Sequence, residues 1–486
     1  MKRWSYILLL VLMATSSVQA QTDDYNAFRS RMMSDFQGFR KGIMERYAEF
    51  LDAAWTEYET TAGKRRVNTP KPEVAPVYTP EAEPAKEPIV VEPMPVDEAK
   101  EPVKPTAPAV PTTPTAPKVP SVPSPTTPQV CFTLYGLQLA VPAPKVEPVL
   151  NGAEQKEVVR LWKQINESDT KACVEALRQH AETYRLGDWC TFKAVEAFSR
   201  KWAKGNKHAE RVMMQYLMLS MGYDVRLAVA GSEVCLMLPF EQQVYGNTYL
   251  TVDNERYYLY PKNLPSGSRI YSCAVPTGEE CGRQMNLIIN PAYRLPRNNQ
   301  PFALSYGALA VQGNVNKNVI ALLQEYPTME VYCYAASLTD AEVKREVVQQ
   351  LKEQLKEMDE AQAANALLHF VQNALEYQTD GQQFGEGVEK SFFFDETLYF
   401  PYCDCEDRSI FFAYLVHEIL GLDVLLVGYP GHECTAVALS VPPRNATSFT
   451  YRGKTYYICD PTYIGADIGM CMPGFVNTRP EVEEWY

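Results

Sequence analysis

The chain has 486 residues, 46% of them hydrophobic and 22% charged, which is material for two or three packed domains and too apolar for a disordered protein. A formal net charge of −13 leaves no basic field for nucleic acid, and beyond the first twenty residues no apolar run approaches the roughly 18–20 residues that cross a bilayer. Twelve cysteines, all beyond residue 130, are too sparse to replace a hydrophobic core.

In chain order, Lys2-Arg3, the apolar stretch from Tyr6 to Met13 and Val18-Gln19-Ala20 have the three-part layout of a cleavable secretory signal over 1–20. The expectation is an exported protein, periplasmic, cell-surface or secreted. Over 21–62, Phe28, Met32, Phe36, Phe39, Ile43, Tyr47, Leu51, Ala54 and Tyr58 recur in steps of three and four, which predicts one amphipathic helix over 24–58. Its stripe packs either on the chain's own body or on a partner or second copy. Residues 63–129 hold roughly half of the 36 prolines and read as a polyproline II linker, so that the helix is tethered and need not touch the rest.

The remainder carries one pattern twice. In the later copy, 338–486, Cys405 to Leu420 reads as a helix, and Asp423 to Gly428, His432 to Ser440 and Thr455 to Cys459 as strands. In the earlier copy, 130–262, His208 to Met221 is the helix, and Asp224 to Val229, Glu233 to Leu238 and the run around Tyr257-Tyr258-Leu259 are strands. Offsets stay near 197–200 residues, and Gly222-Tyr223-Asp224-Val225 stands beside Gly421-Leu422-Asp423-Val424, which reads as an internal duplication. Between them, 263–337 reads as a small β-rich connecting region, with Arg269 to Ala335 more strand and turn than helix. Ala341 to Tyr377 then predicts one or two helices.

The chemistry-bearing residues are in the later copy. Asp404 is a natural N-cap, Asp407 can complete a variant capping box and Gly421 suits a left-handed C-terminal cap, which puts Cys405 in a helix's first turn, where free amides stabilise a thiolate. Asp404, Glu406 and Asp407 act the other way, since neighbouring negative charge raises a thiol's pKa. A cationic partner is needed, and His432 is the candidate; Arg408 is expected to pair with one of the acids. His432 opens one strand and Asp460 follows another, so antiparallel pairing makes them neighbours. A carboxylate there orients the imidazole that takes the proton of Cys405.

Asp404-Cys405-Glu406-Asp407-Arg408, Pro430-Gly431-His432-Glu433 and Cys459-Asp460-Pro461-Thr462 resemble the three ordered motifs of transglutaminase-like cysteine enzymes. Glu376-Tyr377-Gln378-Thr379-Asp380, Gln383-Phe384-Gly385 and Phe394-Asp395-Glu396-Thr397-Leu398 resemble the segment before the cysteine in exported bacterial members. The resemblance covers roughly residues 340 to 475. It implies an α+β fold with a papain-like, transglutaminase-like core, here present twice with the first copy degenerate. It further implies Cys405 as nucleophile, His432 as general base and acid, and Asp460 as orienter, with no cofactor and no metal. The sequence departs from the family pattern at Cys403, Glu433 and Cys434, which bear on substrate preference. The oxyanion donor is expected to be the Cys405 amide, with Tyr402 as a side-chain candidate.

In the earlier copy His208, Ser232 and Tyr260 or Pro261 stand in the three catalytic positions, so all three roles are lost. The expected function is a cysteine peptidase, amidase or acyltransferase acting on peptide, isopeptide or Gln amide bonds of a protein or peptide substrate through a Cys405 thioester, hydrolysis slightly preferred. The alternative is a non-catalytic peptide- or protein-binding module on the same fold. Zinc held by Cys403, Cys405, His432, Cys434, Cys459 and Cys471 is the metal rival, disfavoured by the single residue between Cys403 and Cys405. A Cys403–Cys434 disulfide is compatible with catalysis.

Overall fold

The computed structural model describes residues 38, 41–63, 72–75, 89–91, 128–261, 264, 267–275 and 282–486; the predicted signal over 1–20 and the first part of the predicted helix over 24–58 lie outside them. The fold mixes helix and sheet, as an α+β class requires. Among the described residues no helix is long and apolar enough to cross a membrane.

Two six-stranded sheets frame the molecule. The first runs in the order Thr56–Glu59, Arg269–Ser272, Arg226–Ala230, Glu233–Pro239, Glu255–Tyr260, Tyr249–Val252. The second runs Glu481–Glu483, Val424–Tyr429, His432–Val437, Lys454–Cys459, Ser448–Tyr451, Ile89–Val91. In each, four successive strands follow a helix, Lys207–Ser220 or Cys405–Leu420, and lie in the order first, second, fourth, third, with a later strand added antiparallel outside the first. Strand side chains alternate between faces. Thus Val424 and Leu426 enter the main core with the helices, while Leu425 and Val427 join a smaller cluster with Phe449, Tyr456 and Ile458 on the other face.

The helix Cys405–Leu420 is apolar nearly all round and is therefore central, with twelve of its sixteen residues buried. It stops at Gly421, whose φ of +68° needs a glycine and whose amide donates to the His417 carbonyl at 3.0 Å. The predicted helical region 341–377 resolves into two helices, Ala341–Leu355 and Glu360–Ala374, capped by Asp340 and by an Asp359–Gln362 box.

Three expectations need correction. The amphipathic helix ends at residue 52 rather than 58, because Thr56–Glu59 joins the first sheet as a strand pairing Tyr58 with Ile270. An open sheet edge supplies a ladder that helical periodicity does not compete with. Ile43, Met44, Tyr47 and Leu51 are buried against the chain's own body, with the Tyr47 ring 5.6 Å from Trp162 and its hydroxyl accepting the Leu227 amide at 2.9 Å. The described part of the stripe is thus not offered to a partner. Second, the Pro-rich region is not wholly a free tether: Glu73-Val74 pairs in parallel with Tyr463-Ile464, and Ile89–Val91 with Phe449–Tyr451. Third, the connecting region holds, besides the hairpin Asn299–Tyr306/Leu309–Asn316, the helices Lys317–Leu323 and Val331–Ala336. Asn316 caps the former through a bond from the Asn318 amide, and Val319, Ile320, Leu322 and Leu323 give it a buried face.

Near the start of Ala341–Leu355, Lys344 is buried 3.9 Å from the Tyr414 ring centroid and donates to the Ser337 carbonyl at 2.5 Å. Asp395 beside it accepts the Thr339 hydroxyl; burial, then the charge of Asp340, pushes its carboxyl up to about 7, against Thr339 and Lys344. A raised carboxyl favours the fold below the ordinary carboxyl range and loses that contribution as pH climbs toward the raised value. Stability should therefore fall between about pH 4 and 7 by up to ~1.4 kcal/mol per unit from this group. Asp395→Asn, an uncharged near-isostere, should flatten that part of a melting-temperature profile, measured by calorimetry at several pH values.

Candidate functional site

Pro430 and Gly431 make a two-residue turn that pairs Tyr429 with His432, Gly431 supplying φ +73°. His432 is thereby the first residue of its strand. Antiparallel pairing of Thr435 with Cys459 brings the end of the next strand alongside, and His432 Nε2 lies 2.8 Å from Asp460 Oδ2, both residues buried. The other Asp460 oxygen accepts the Thr462 amide at 2.8 Å, so the carboxylate is held at both ends. With Nε2 engaged by an acceptor, the basic lone pair falls on Nδ1, which is buried without a hydrogen-bond partner.

Cys405 opens the buried helix as predicted. Its Sγ donates to Glu406 Oε2 at 3.1 Å rather than to the His432 ring. Ser409 Oγ donates to the carbonyls of Cys405 (2.7 Å) and Glu433 (3.1 Å), tying the first helical turn to the residue beside His432. Burial, then the charges of Glu406 and Asp404, push the thiol well above its ordinary value, with only the Glu433 amide pulling it down. The helix start alone therefore does not produce a resting thiolate, and the acidic neighbours weigh as the sequence suggests. The reciprocal half of the capping box forms, Asp404 N–H to Asp407 Oδ2 at 3.2 Å.

Sequence reasoning missed three supports. Gln372 donates to the carbonyls of Asp460 (3.1 Å) and Ala466 (3.0 Å) and accepts the Gly465 amide (3.0 Å), pinning the loop that carries Asp460. Phe475 stacks on His432, centroids 5.2 Å apart at 12°, and on Tyr429 at 4.8 Å, closing the site from solvent. Arg408, expected to pair with an acid, instead donates to the carbonyls of Leu375 (2.6 Å), Gln372 (3.3 Å) and Pro461 (3.3 Å), where the helix Glu360–Ala374 ends and the Asp460 loop begins. A buried planar fork with several donors meets carbonyl groups that no amide reaches. No local pattern announces Gln372 or Phe475, whereas an arginine inside an otherwise apolar helix is a readable signal of a buried role.

Tyr402, the oxyanion candidate, is partly exposed on the strand Tyr402–Cys403, which pairs in parallel with Glu376–Tyr377. Cys403 Sγ faces the Glu376 carbonyl at 3.8 Å and all described cysteines are free thiols, so the Cys403–Cys434 disulfide does not form. Cys434 instead joins His432 and Asp460, with one donor atom of each within 4.8 Å of the others, a set whose chemistry suits zinc; the His432–Asp460 hydrogen bond already engages two of the three. In the first sheet the equivalent turn pairs Ala230 with Glu233, so Glu233 rather than Ser232 stands at the His432 position, Lys207 rather than His208 opens the helix, and Pro261 follows the strand. Lysine, glutamate and proline thus stand where the second sheet has cysteine, histidine and aspartate. Compared with family models, curated proteins and solved structures, the chain matches none.

Two expectations follow from the supports. Phe475→Ala should uncover the imidazole and speed diethyl pyrocarbonate modification of His432 by about tenfold or more, read by peptide mass spectrometry. Arg408→Met should strand three buried carbonyls and cost ~2–4 kcal/mol in urea unfolding, with Arg408→Lys restoring little because one ammonium cannot span them.

Proposed function

We propose that the chain is an exported transglutaminase-like cysteine enzyme in which Cys405 forms a thioester with a peptide, isopeptide or glutamine carbonyl and passes the acyl group to water, or less often to an amine. The observation that carries this reading is the 2.8 Å bond between His432 Nε2 and Asp460, which leaves Nδ1 as an unpartnered base in a buried site beside the helix start that bears Cys405. In the reaction Sγ leaves Glu406 and gives its proton to Nδ1. Sulfur attacks the carbonyl carbon, and collapse of the adduct breaks the C–N bond as the imidazolium protonates the departing amine. Water, deprotonated by the same nitrogen, then releases the acid. Asp460 stabilises the imidazolium in both halves. The common strand order of the two sheets supports a papain-like core duplicated in the chain, the first copy having lost its chemistry.

The second reading, a peptide- or protein-binding module, draws support from the enclosed imidazole and from a thiol that rests on a carboxyl group. The test is incubation with a casein digest, following released ammonia and new termini by mass spectrometry and an acyl adduct on the intact protein. Turnover should vanish in Cys405→Ala and fall at least ~10³-fold in His432→Ala. Turnover by Cys405→Ala at the wild-type rate would overturn the enzyme reading, and a wild-type protein that gives neither product nor adduct would favour the binding module.

A further inference from the structure

His432 and Cys434 are two residues apart on one strand and so point to the same face of the second sheet. The pairing of Thr435 with Cys459 sets Cys434 opposite Asp460 one step further along the two chains. One donor atom of each residue, a ring nitrogen, a thiol sulfur and a carboxylate oxygen, lies within 4.8 Å of the other two. All three residues are at most 2% exposed. Acyl transfer accounts for the ring and the carboxylate but has no use for the sulfur. Cys434 is also one of the positions at which the chain departs from the pattern it resembles.

A fourth donor stands at the edge of this group. Cys471 is partly exposed, packs on the same apolar cluster as Cys434, hydrogen-bonds the Tyr429 side chain and acts electrostatically on Cys434. It precedes Phe475, whose ring lies over His432 at 5.2 Å, so one loop brings both the cover of the imidazole and a second sulfur. The ring supplies a separate observation, since His432 Nδ1 is buried without a hydrogen-bond partner and the protein alone does not meet the bonding capacity of the imidazole. Nitrogen and sulfur donors favour zinc over calcium or magnesium. A thiolate and a carboxylate cancel the charge of the ion, as a buried site requires, and the second thiolate lies where solvent can reach it. Tetrahedral bonds of ~2.0–2.3 Å put donor atoms about 3.3–3.7 Å apart. That spacing falls inside the 4.8 Å envelope and is wider than the 2.8 Å His432–Asp460 contact, so small side-chain shifts build the site.

We propose that His432, Cys434 and Asp460 bind one zinc ion, with Cys471 as the fourth ligand and its exposed edge as the way in. Bound zinc is a reversible brake, because a ring and a carboxylate committed to the ion cannot act on Cys405. The brake alone rests on the catalytic reading; the binding does not.

The full chain, kept reduced with a phosphine, stripped with EDTA and dialysed, is titrated with cobalt chloride by absorption spectroscopy and with zinc chloride against a chromophoric zinc indicator. One ion per chain should bind, giving a thiolate-to-cobalt charge-transfer band and the intense d–d bands of tetrahedral cobalt, which zinc should bleach. Zinc should also slow diethyl pyrocarbonate modification of His432 and iodoacetamide modification of Cys471 by about tenfold or more, read by peptide mass spectrometry. Cys434→Ser and His432→Ala should each weaken zinc binding by about 100-fold, and Cys471→Ser by about tenfold or more, whereas Cys403→Ser should bind as wild type. If Cys434→Ser fails to fold, the cobalt spectrum and the protection of His432 in the wild-type chain decide. Lack of saturable binding below about 100 µM zinc in folded protein, a cobalt spectrum without the thiolate band, or a Cys434→Ser protein that binds as tightly as wild type would overturn the site. Undiminished affinity in Cys471→Ser would overturn the fourth ligand. One equivalent of zinc should stop turnover of the casein digest and EDTA should restore it; full turnover with zinc bound would overturn the brake. Cys405→Ala should bind zinc normally, which separates failure of this site from failure of the catalytic reading.

Discussion

The antiparallel pairing of His432–Val437 with Lys454–Cys459 is the constraint on which the site depends, because it sets the beginning of one strand against the end of the other. Side-chain direction in a sheet has period two, so a slip of one residue would turn His432 or Asp460 to the opposite face and break the 2.8 Å contact. The register is secured on both sides. The Pro430-Gly431 turn fixes where His432 enters, and Gln372 with Arg408 fixes the loop that leaves Cys459. These last two residues bond only backbone groups there, yet they hold the loop on which the meeting of carboxylate and ring depends.

Around that frame the interior treats two kinds of acid differently. Asp460 is surrounded by donors and sits where a cationic imidazole would be stabilised. Asp380, Asp404 and Glu406 are gathered with few donors near a thiol whose pKa burial raises first and the charges of Glu406 and Asp404 raise further. In a medium of low dielectric such differences outweigh the contribution of a helix start, which is at most ~2 kcal/mol even in favourable geometries. Burial and the acidic neighbours, rather than its place in the first turn, therefore decide the direction in which the Cys405 thiol is shifted.

How far this was legible in the sequence depends on where each cause resides. The cysteine helix, its end at Gly421 and the strand that follows it come from local residues, and their bounds agree with the structure to within a residue, whereas the strand opening at His432 ends at Val437 rather than Ser440. The closeness of His432 and Asp460 followed from strand order alone. Strands Thr56–Glu59, Glu73-Val74 and Ile89–Val91 were not legible, because each exists by adding to a distant edge and carries no periodicity of its own. Phe475 and Gln372 escaped for the same reason, their roles being created by the neighbours that the fold assembles. The helix stripe at Ile43, Tyr47 and Leu51 was visible, but a stripe states only that something covers it, and here the cover is the chain itself.

The two sheets sharpen what the fold can and cannot say about chemistry. Both present a strand that begins after a two-residue turn, and both receive a helix beside it. In the first, the residue at that point is Glu233, paired at the surface with Arg211 at 2.8 Å, and the helix opens with Lys207. In the second, it is a buried histidine whose ring is oriented by a carboxylate and left one free nitrogen. One backbone arrangement thus tolerates both an ordinary solvated ion pair and an enclosed base, so architecture carries no information about activity here. A structural core has little use for a buried imidazole with an unmet nitrogen, since leaving such a group unsatisfied costs about 1–3 kcal/mol. The imidazole with an unmet nitrogen occurs only in the second sheet, on the strand that receives the helix opening with Cys405, and this difference, more than the strand order, is what distinguishes the two halves.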